Sequence, residues 1–357
     1  MKEPCLTLLK LGGTPYEIGY HHGKEGKEKI REFLSLIVQH GKEFLPDLTR
    51  EKALSQMKLY IPFIEASAPH LIQEIRGIGD GAKISIEEAY LLQVRAELTQ
   101  LTIETPFDEG CTSFALPKRK TEDGNVWVGQ NLDLNPFYKD YGVMLHIPPE
   151  RGSAILCYTQ IGSLAHAGIN SAGLGWAANA LFSSGWKPGV PRPVLYRLLL
   201  ERETLSEAVD VIAHARRASS CNYLVAHKSG EIENLEVTPD HHGLVHLQGD
   251  VLVHTNHYLH PEMVRFEKRP KDKLENSKFR ENRFGRLVTE HPGRLSIERL
   301  KGLLADHELY PTAVCTHAEG NPWGMMTIAS IISQPADGLM HVCLGQGCMN
   351  KYETYSI

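Results

Sequence analysis

A thiol is a useful nucleophile only as thiolate or beside a base. Cys111 stands in the run Asp108-Glu109-Gly110-Cys111-Thr112-Ser113-Phe114, where a loop-like approach gives way to a strand-like stretch. One chemistry lets such a cysteine carry its own base. A free α-amine has a pKa of about 7.7–8.0, close to the working pH that favours general-base catalysis. Cys111 lies far from the start of the chain, so it would own such an amine only after a cut before it. Gly110 suits that cut, because no side chain hinders the thiol's approach to its carbonyl and a strained peptide is tolerated there. The thiol would attack Gly110 in an N-to-S acyl shift, and water would resolve the thioester. Two other readings stand beside this one. The chain has 18 histidines, so an uncleaved Cys–His thiol hydrolase is open, as is a catalytically idle binding protein.

Three further motifs accompany Cys111 in order: Gly129-Gln130-Asn131-Leu132-Asp133, Gly168-Ile169-Asn170-Ser171-Ala172-Gly173-Leu174 and Val253-His254-Thr255-Asn256-His257. With Thr14-Pro15-Tyr16-Glu17-Ile18-Gly19-Tyr20 and Glu74-Ile75-Arg76-Gly77-Ile78, the set resembles the isopenicillin N acyltransferase family over most of the chain. Those proteins are self-processing N-terminal-nucleophile enzymes, more distantly related to penicillin V acylases and bile salt hydrolases. The resemblance implies a four-layer αββα sandwich and a site carried over residue by residue. Cys111 is then the nucleophile. Asp133 orients its amine, the Asn256 side-chain amide meets the developing oxyanion, and Asn179 adds a backbone N–H there. Asn131 and Trp323 are candidate substrate contacts. Trp323 stands where the penicillin-forming members place an arginine. An aromatic cannot hold a carboxylate as arginine does, so β-lactam substrates do not carry over.

Competing constellations are weaker. On a strand His254 and His257 would face opposite ways, and no carboxylate or cysteine spacing completes a metal set around them. Cys343 and Cys348 lack a second matching pair and read as core thiols, so the expected metal is none. The Gly-rich run at 168–175 lacks the Lys-Ser/Thr ending of a phosphate loop. No cofactor is expected, with acyl-CoA a possible substrate by resemblance only.

The elements that must position these residues fall into blocks. Helical signals dominate the first 110 residues. Thr14 to Glu17 and Ser85 to Glu88 are capping boxes, and Ile30, Phe33, Leu34, Ile37 and Val38 form one stripe. Gly19, Gly23 and Gly26 predict a weakened, broken first helix. Residues 99–110 read as an exposed connection. From Cys111 onward strands alternate with Gly-rich turns, then come two helices from Pro191, more strands, a charged stretch at 267–282 read as a solvated loop or exposed helix, another helix near Ile297, and closing strands. Hairpin strands with helices in blocks argue for an α+β fold of layered antiparallel sheets covered by helices. We divide the chain into a helical fragment, 1–110, and a catalytic fragment, 111–357, which stay associated as one domain.

Bulk properties exclude other classes. The 357 residues are 42% hydrophobic with a formal charge of −5, and neither sign forms a long block. Nucleic-acid and anionic-membrane partners are therefore not expected. No apolar run approaches the roughly 20 residues needed to span a bilayer, and Lys10 interrupts the apolar start. Seven scattered cysteines argue against a disulfide framework. The expectation is a cytoplasmic enzyme acting on a small N-acyl amide or acyl thioester.

Overall fold

The computed structural model describes residues 6–100, 109–149 and 152–357. Most of the expected connection, residues 101–108, lies outside them. A short strand, β1 (Leu8–Lys10), precedes helices α1 (Pro15–Glu25), α2 (Lys27–Phe44), α3 (Arg50–Met57), α4 (Ile61–Ser67), α5 (Pro69–Ala82) and α6 (Ile86–Gln100). Both capping boxes form. Glu17 N donates to Thr14 Oγ1 at 3.3 Å while the Glu17 carboxylate accepts from Thr14 N at 2.8 Å. Ser85 and Glu88 exchange the same pair of bonds at 3.2 and 2.9 Å. The stripe on α2 is buried at Ile30, Phe33, Leu34 and Ile37, and Val38 packs at its margin.

The glycines of the first helix need a correction. α1 runs unbroken through Gly19 and Gly23 and stops only at Gly26. Their purpose is close approach. A methyl group on Gly19 would lie 1.9 Å from the Glu74 carbonyl oxygen, and one on Gly77 would lie 2.2 Å from that of Tyr16. The backbones of α1 and α5 touch where ordinary side chains would hold them apart.

The remaining elements are β2 (Gly110–Leu116), β3 (Trp127–Leu134), β4 (Gly142–Ile147), β5 (Ile155–Gln160), β6 (Gly168–Asn170) and β7 (Leu174–Ala180). Helices α7 (Arg192–Leu200) and α8 (Leu205–Ala213) follow, then β8 (Cys221–His227), β9 (Ile232–Val237), β10 (His242–Val245) and β11 (Leu252–His254). Last come α9 (Lys271–Thr289), α10 (Ile297–Leu304), β12 (Met326–Gln334), β13 (Leu339–Leu344) and β14 (Tyr352–Ser356). Thr204 caps α8. The charged stretch at 267–282 is neither a loop nor a fully exposed helix. It enters α9, whose Asn276, Ser277, Arg280, Phe284 and Val288 are buried.

Two sheets result. One runs β1-β4-β5-β6-β7-β8-β9-β10 and the other β11-β2-β3-β12-β13-β14. All pairings are antiparallel except β1 with β4. Three cores define the layers. Helices α1–α8 pack on the outer face of the first sheet, as in the cluster joining Phe33, Ile75, Leu195 and Tyr158. Phe284, Val288, Leu300 and Leu303 cover the second sheet at Phe114 and Trp127. Between the sheets small residues mesh, Ala115 and Val128 against Ala177 and Leu224. This is the four-layer αββα sandwich. Among the described residues no helix is long and apolar enough to cross a membrane.

The α1–α5 contact is a direct test of the packing. Gly77→Ala should lower the unfolding free energy by about 1–3 kcal/mol through overpacking. Gly302→Ala, on α10 with nothing within 4 Å of the added methyl, should raise it by about 0.5–1 kcal/mol. Denaturant titration of both variants reads the opposite signs.

Candidate active site

Cys111 sits in the second position of β2, and the ladder sets Gly110 opposite Asp133 and Cys111 opposite Leu132 on β3. The Gly110–Cys111 bond thus lies inside a strand that begins two residues before Thr112, where the sequence places its start. On the other side β11 pairs Ser113 with His254. Two residues beyond, where the ladder has ended, the side chain of Asn256 replaces it: Cys111 N donates to Asn256 Oδ1 at 2.9 Å. Asn256 Nδ2 donates to Ala180 O at 3.2 Å, and its own N–H goes to Ser277 Oγ at 2.8 Å.

Arg280 of α9 locks this corner. One Nη donates to Cys111 O at 2.8 Å and Thr112 Oγ1 at 2.9 Å, the other to Asn256 Oδ1 at 2.9 Å. Its Nε donates to Asn276 Oδ1 at 3.0 Å, and Asp133 Oδ2 lies 3.9 Å away. Asp133 Oδ1 accepts from Thr327 Oγ1 at 2.6 Å, and Thr327 Oγ1 in turn accepts from Thr316 N. Burial raises the Asp133 carboxyl above its ordinary range, opposed by Arg280 and the two threonines. A β-carbon on Gly110 would lie 3.3 Å from Asp133 Oδ2, so the carboxylate rests against the glycine that precedes the thiol. Burial also pushes the Cys111 thiol well up, with the charges of Asp133 and Glu109 adding and Arg280 opposing. In the uncut chain the sulfur is a thiol, not a thiolate.

The cavity beside Cys111 is lined by Leu132, Ala178, Ala180, His166 and Tyr196, and it keeps only about 30 Å³ free. Glu109 also lines it. Its carboxylate takes a two-pronged bond from Arg192 at 2.8 and 3.2 Å. Burial pushes this carboxyl up, and Arg192, with Arg95 beyond, more than reverses it, so the net shift is downward. Arg192 is itself buried, with Glu97 3.5 Å from its Nε. His166, the histidine of the cavity wall, is pushed down to about 3 by burial and then by Arg95. Burial thus makes His166 a weak base while holding the Cys111 thiol protonated.

The other expected residues fall elsewhere. Asn179 is buried between the sheets, where its Oδ1 accepts from Ser113 Oγ at 2.6 Å and Asn222 at 3.1 Å, and its Nδ2 donates to His254 O. Asn131 faces the opposite layer, donating to Leu304 O and Val314 O and accepting from Ser330. It ties β3 to the loop after α10 and does not line the cavity. Trp323 is partly exposed, donates to Asp272 at 3.2 Å, and is likewise away from the cavity lining. Cys348, expected in the core, is exposed. Arg280, Glu109 and Arg192 went unread. Arg280 carried a signal: Asn276, Arg280, Phe284 and Val288 recur every four residues, one buried face inside a charged run.

Two packed sheets, outer helices and a cysteine with its partners at the start of an inner strand define the class of N-terminal-nucleophile enzymes. A model of the acyl-coenzyme A:6-aminopenicillanic acid acyl-transferase family matches residues 119–348, and the chain belongs to that family. It is an enzyme of the acyl-transferring and amide-hydrolysing kind. It is 29% identical over 321 residues to the acyl-coenzyme A:6-aminopenicillanic-acid-acyltransferase 40 kDa form of Emericella nidulans, covering 87% of this chain and 85% of that one. It is 23% identical over 230 residues to the β-alanyl-dopamine/carcinine hydrolase of Drosophila melanogaster, covering 60% and 59%. A solved conjugated bile acid hydrolase variant from Clostridium perfringens aligns with a TM-score of 0.48 at 12% identity, covering 69% and 97%.

The state of His166 is measurable. NMR of histidine-labelled protein should find its ring neutral at about pH 5, with no midpoint near the ordinary value of about 6.5. A midpoint there would restore it as a base. The buried guanidinium gives a second test. Arg280→Met should cost about 3–5 kcal/mol, because it strands Asp133 and the carbonyl acceptors. Arg280→Lys should recover only part, lacking the planar fork. Urea unfolding separates the two.

Proposed function

We propose that this chain cuts itself between Gly110 and Cys111 and then works as a cysteine amidohydrolase or acyltransferase through an acyl-Cys111 intermediate. The observation that carries the reading is the corner around that bond: Cys111 N–H on Asn256 Oδ1, Cys111 O on Arg280, and Gly110 against Asp133. In the first reaction Cys111 Sγ attacks the Gly110 carbonyl carbon. The S–C bond forms, the C–N bond to Cys111 breaks, and the thiol proton ends on the released nitrogen. Water then hydrolyses the thioester, leaving the 1–110 fragment with a carboxylate and Cys111 with a free amine.

In the mature enzyme that amine takes the thiol's proton as general base. Asn256 Oδ1 and Asp133 hold the amine where the amide N–H now sits. Asn256 Nδ2, directed at the cavity-lining Ala180 carbonyl, is the donor for the tetrahedral oxyanion, with Asn179 as a weaker second candidate through its backbone. Such a donor is worth about a hundredfold or more in turnover. Water or an amine resolves the acyl-enzyme. The relatives' names span both outcomes, an acyl-coenzyme A:6-aminopenicillanic-acid-acyltransferase and a β-alanyl-dopamine/carcinine hydrolase.

Glu109 adds a substrate class. The cut frees the segment that carries it, and the departing carboxylate leaves a buried fork at Arg192. Glu97 stays 3.5 Å from the Arg192 Nε, but the two Nη donors that Glu109 gives up are arranged to take a second carboxylate two-pronged, so the substrate class we propose is a small N-acyl amide or acyl thioester bearing a carboxylate. In this respect Arg192, not Trp323, takes the place of a carboxylate-binding arginine.

Denaturing intact-mass spectrometry is the first test. Wild type should give two fragments divided before Cys111, and Cys111→Ala one intact chain; an intact and fully active wild type would sink the reading. Asn256→Ala should then lower kcat by about a hundredfold in protein that is still cut. Arg192→Gln should raise KM at least about tenfold for carboxylated substrates and leave uncharged analogues unchanged. Equal loss on both would remove the carboxylate assignment while leaving the nucleophile in place.

A further inference from the structure

The geometry points to a structural zinc site, formed by His307, Cys315, His317 and Cys348, on the far side of the loop that supports Asp133. Their four ligand atoms lie within 4.8 Å of one another. The individual edges are more telling. Cys315 Sγ to Cys348 Sγ is 3.6 Å, His307 Nε2 to His317 Nε2 is 3.0 Å, and His317 Nε2 is 3.7 and 3.4 Å from the two sulfurs. A tetrahedral zinc with bonds of about 2.3 Å to sulfur and 2.0–2.1 Å to nitrogen sets edges of about 3.8, 3.4 and 3.6 Å for S–S, N–N and S–N pairs. These four edges lie within a few tenths of an ångström of the tetrahedral values, and the two from His307 to the sulfurs stay within 4.8 Å. A modest swing of the His307 ring would complete a Cys₂His₂ shell around one point.

Ordinary hydrogen bonding gives a poor account of this arrangement. Two imidazole Nε2 atoms face each other and two sulfurs, and all four can serve as lone-pair donors to one cation. Two thiolates would neutralise a divalent zinc, and two neutral histidines would complete the shell. Four protein ligands leave no open position, so the site is structural, not hydrolytic. None of the four lines the Cys111 cavity.

The frame holding the ligands is well tied. Cys315 N donates to Asp306 O at 3.0 Å and His317 N to Pro311 O at 2.9 Å, so the segment between His307 and His317 folds back on itself. Cys348 reaches in from the turn between β13 and β14. Thr316, between two of the ligands, donates its N–H to Thr327 Oγ1 at 2.9 Å, and Thr327 holds Asp133. The metal would therefore clamp three segments behind the carboxylate. Linear sequence hides the set, because Cys348 is 33 residues from Cys315, far outside a short-spacing motif.

Untagged full-length protein, purified under reducing conditions, should contain about one zinc per chain by plasma mass spectrometry. Co²⁺ exchanged into it should give the visible bands of a tetrahedral dithiolate site. Cys348→Ala and His307→Ala, both at exposed positions, should keep the fold by circular dichroism and lose most of the zinc. His214→Ala, at an exposed histidine outside the cluster, should keep it. Cys315→Ser should behave like Cys348→Ala if it folds. A folded wild type that takes up neither Zn²⁺ nor Co²⁺ would overturn the site. So would full zinc retention by the Cys348→Ala, His307→Ala double variant, or a Cys315–Cys348 disulfide in the freshly purified reduced protein.

Discussion

Everything at the Cys111 corner depends on keeping one buried positive charge satisfied. Arg280 is 3% exposed, and its acceptors come from β2, the turn after β11, α9 itself and the end of β3. Removing a guanidinium from water is tolerable only where its donors find well-placed partners. The three segments therefore have little freedom to shift independently. The same bonds that neutralise the charge fix the carbonyl of Cys111, the orientation of the Asn256 amide and the position of Asp133. The geometry of this corner is a by-product of satisfying a single ion.

A second buried pair works by a different logic. Glu109 and Arg192 meet inside the cavity, next to the thiol, in the intact chain. The pairing satisfies two charges at once, but one of them belongs to the segment just before the candidate cut. The intact chain thus meets the Arg192 guanidinium with an acid of its own. Ala178 and Ala180, small residues of β7, line the same cavity as that acid.

Much of this was legible in the chain. The helix starts at Thr14 and Ser85 were readable because capping boxes are local chemistry, and the block order of helices and strands sufficed for the layered α+β architecture. Cys111, Asp133 and Asn256 do converge, although they are far apart in sequence. What stayed hidden shares one cause: polar residues buried by distant partners look exposed when read in a window of ten. Arg280 sits in a run dense with charge, Glu109 in an apparent loop, and Asn131 proved to be mortar between β3 and its neighbouring loop. Gly19 and Gly23 misled for a related reason. Their local effect weakens a helix, whereas their tertiary effect lets α5 approach.

The contacts across the Gly110 boundary have an implication for how such a molecule persists. Strand β1 lies parallel to β4, the Glu74 carboxylate accepts from Arg197 at 2.9 Å, Gln93 bonds Gly162 O and Leu164 N, and the Tyr355 hydroxyl donates to Leu6 O at 3.0 Å. These are core contacts, not the sparse bonds of a tethered arm. A chain severed at Gly110 would become a two-component assembly with an interior for an interface. Its stability would then acquire a concentration dependence that the intact polypeptide lacks, and dilution would act on it as a denaturant.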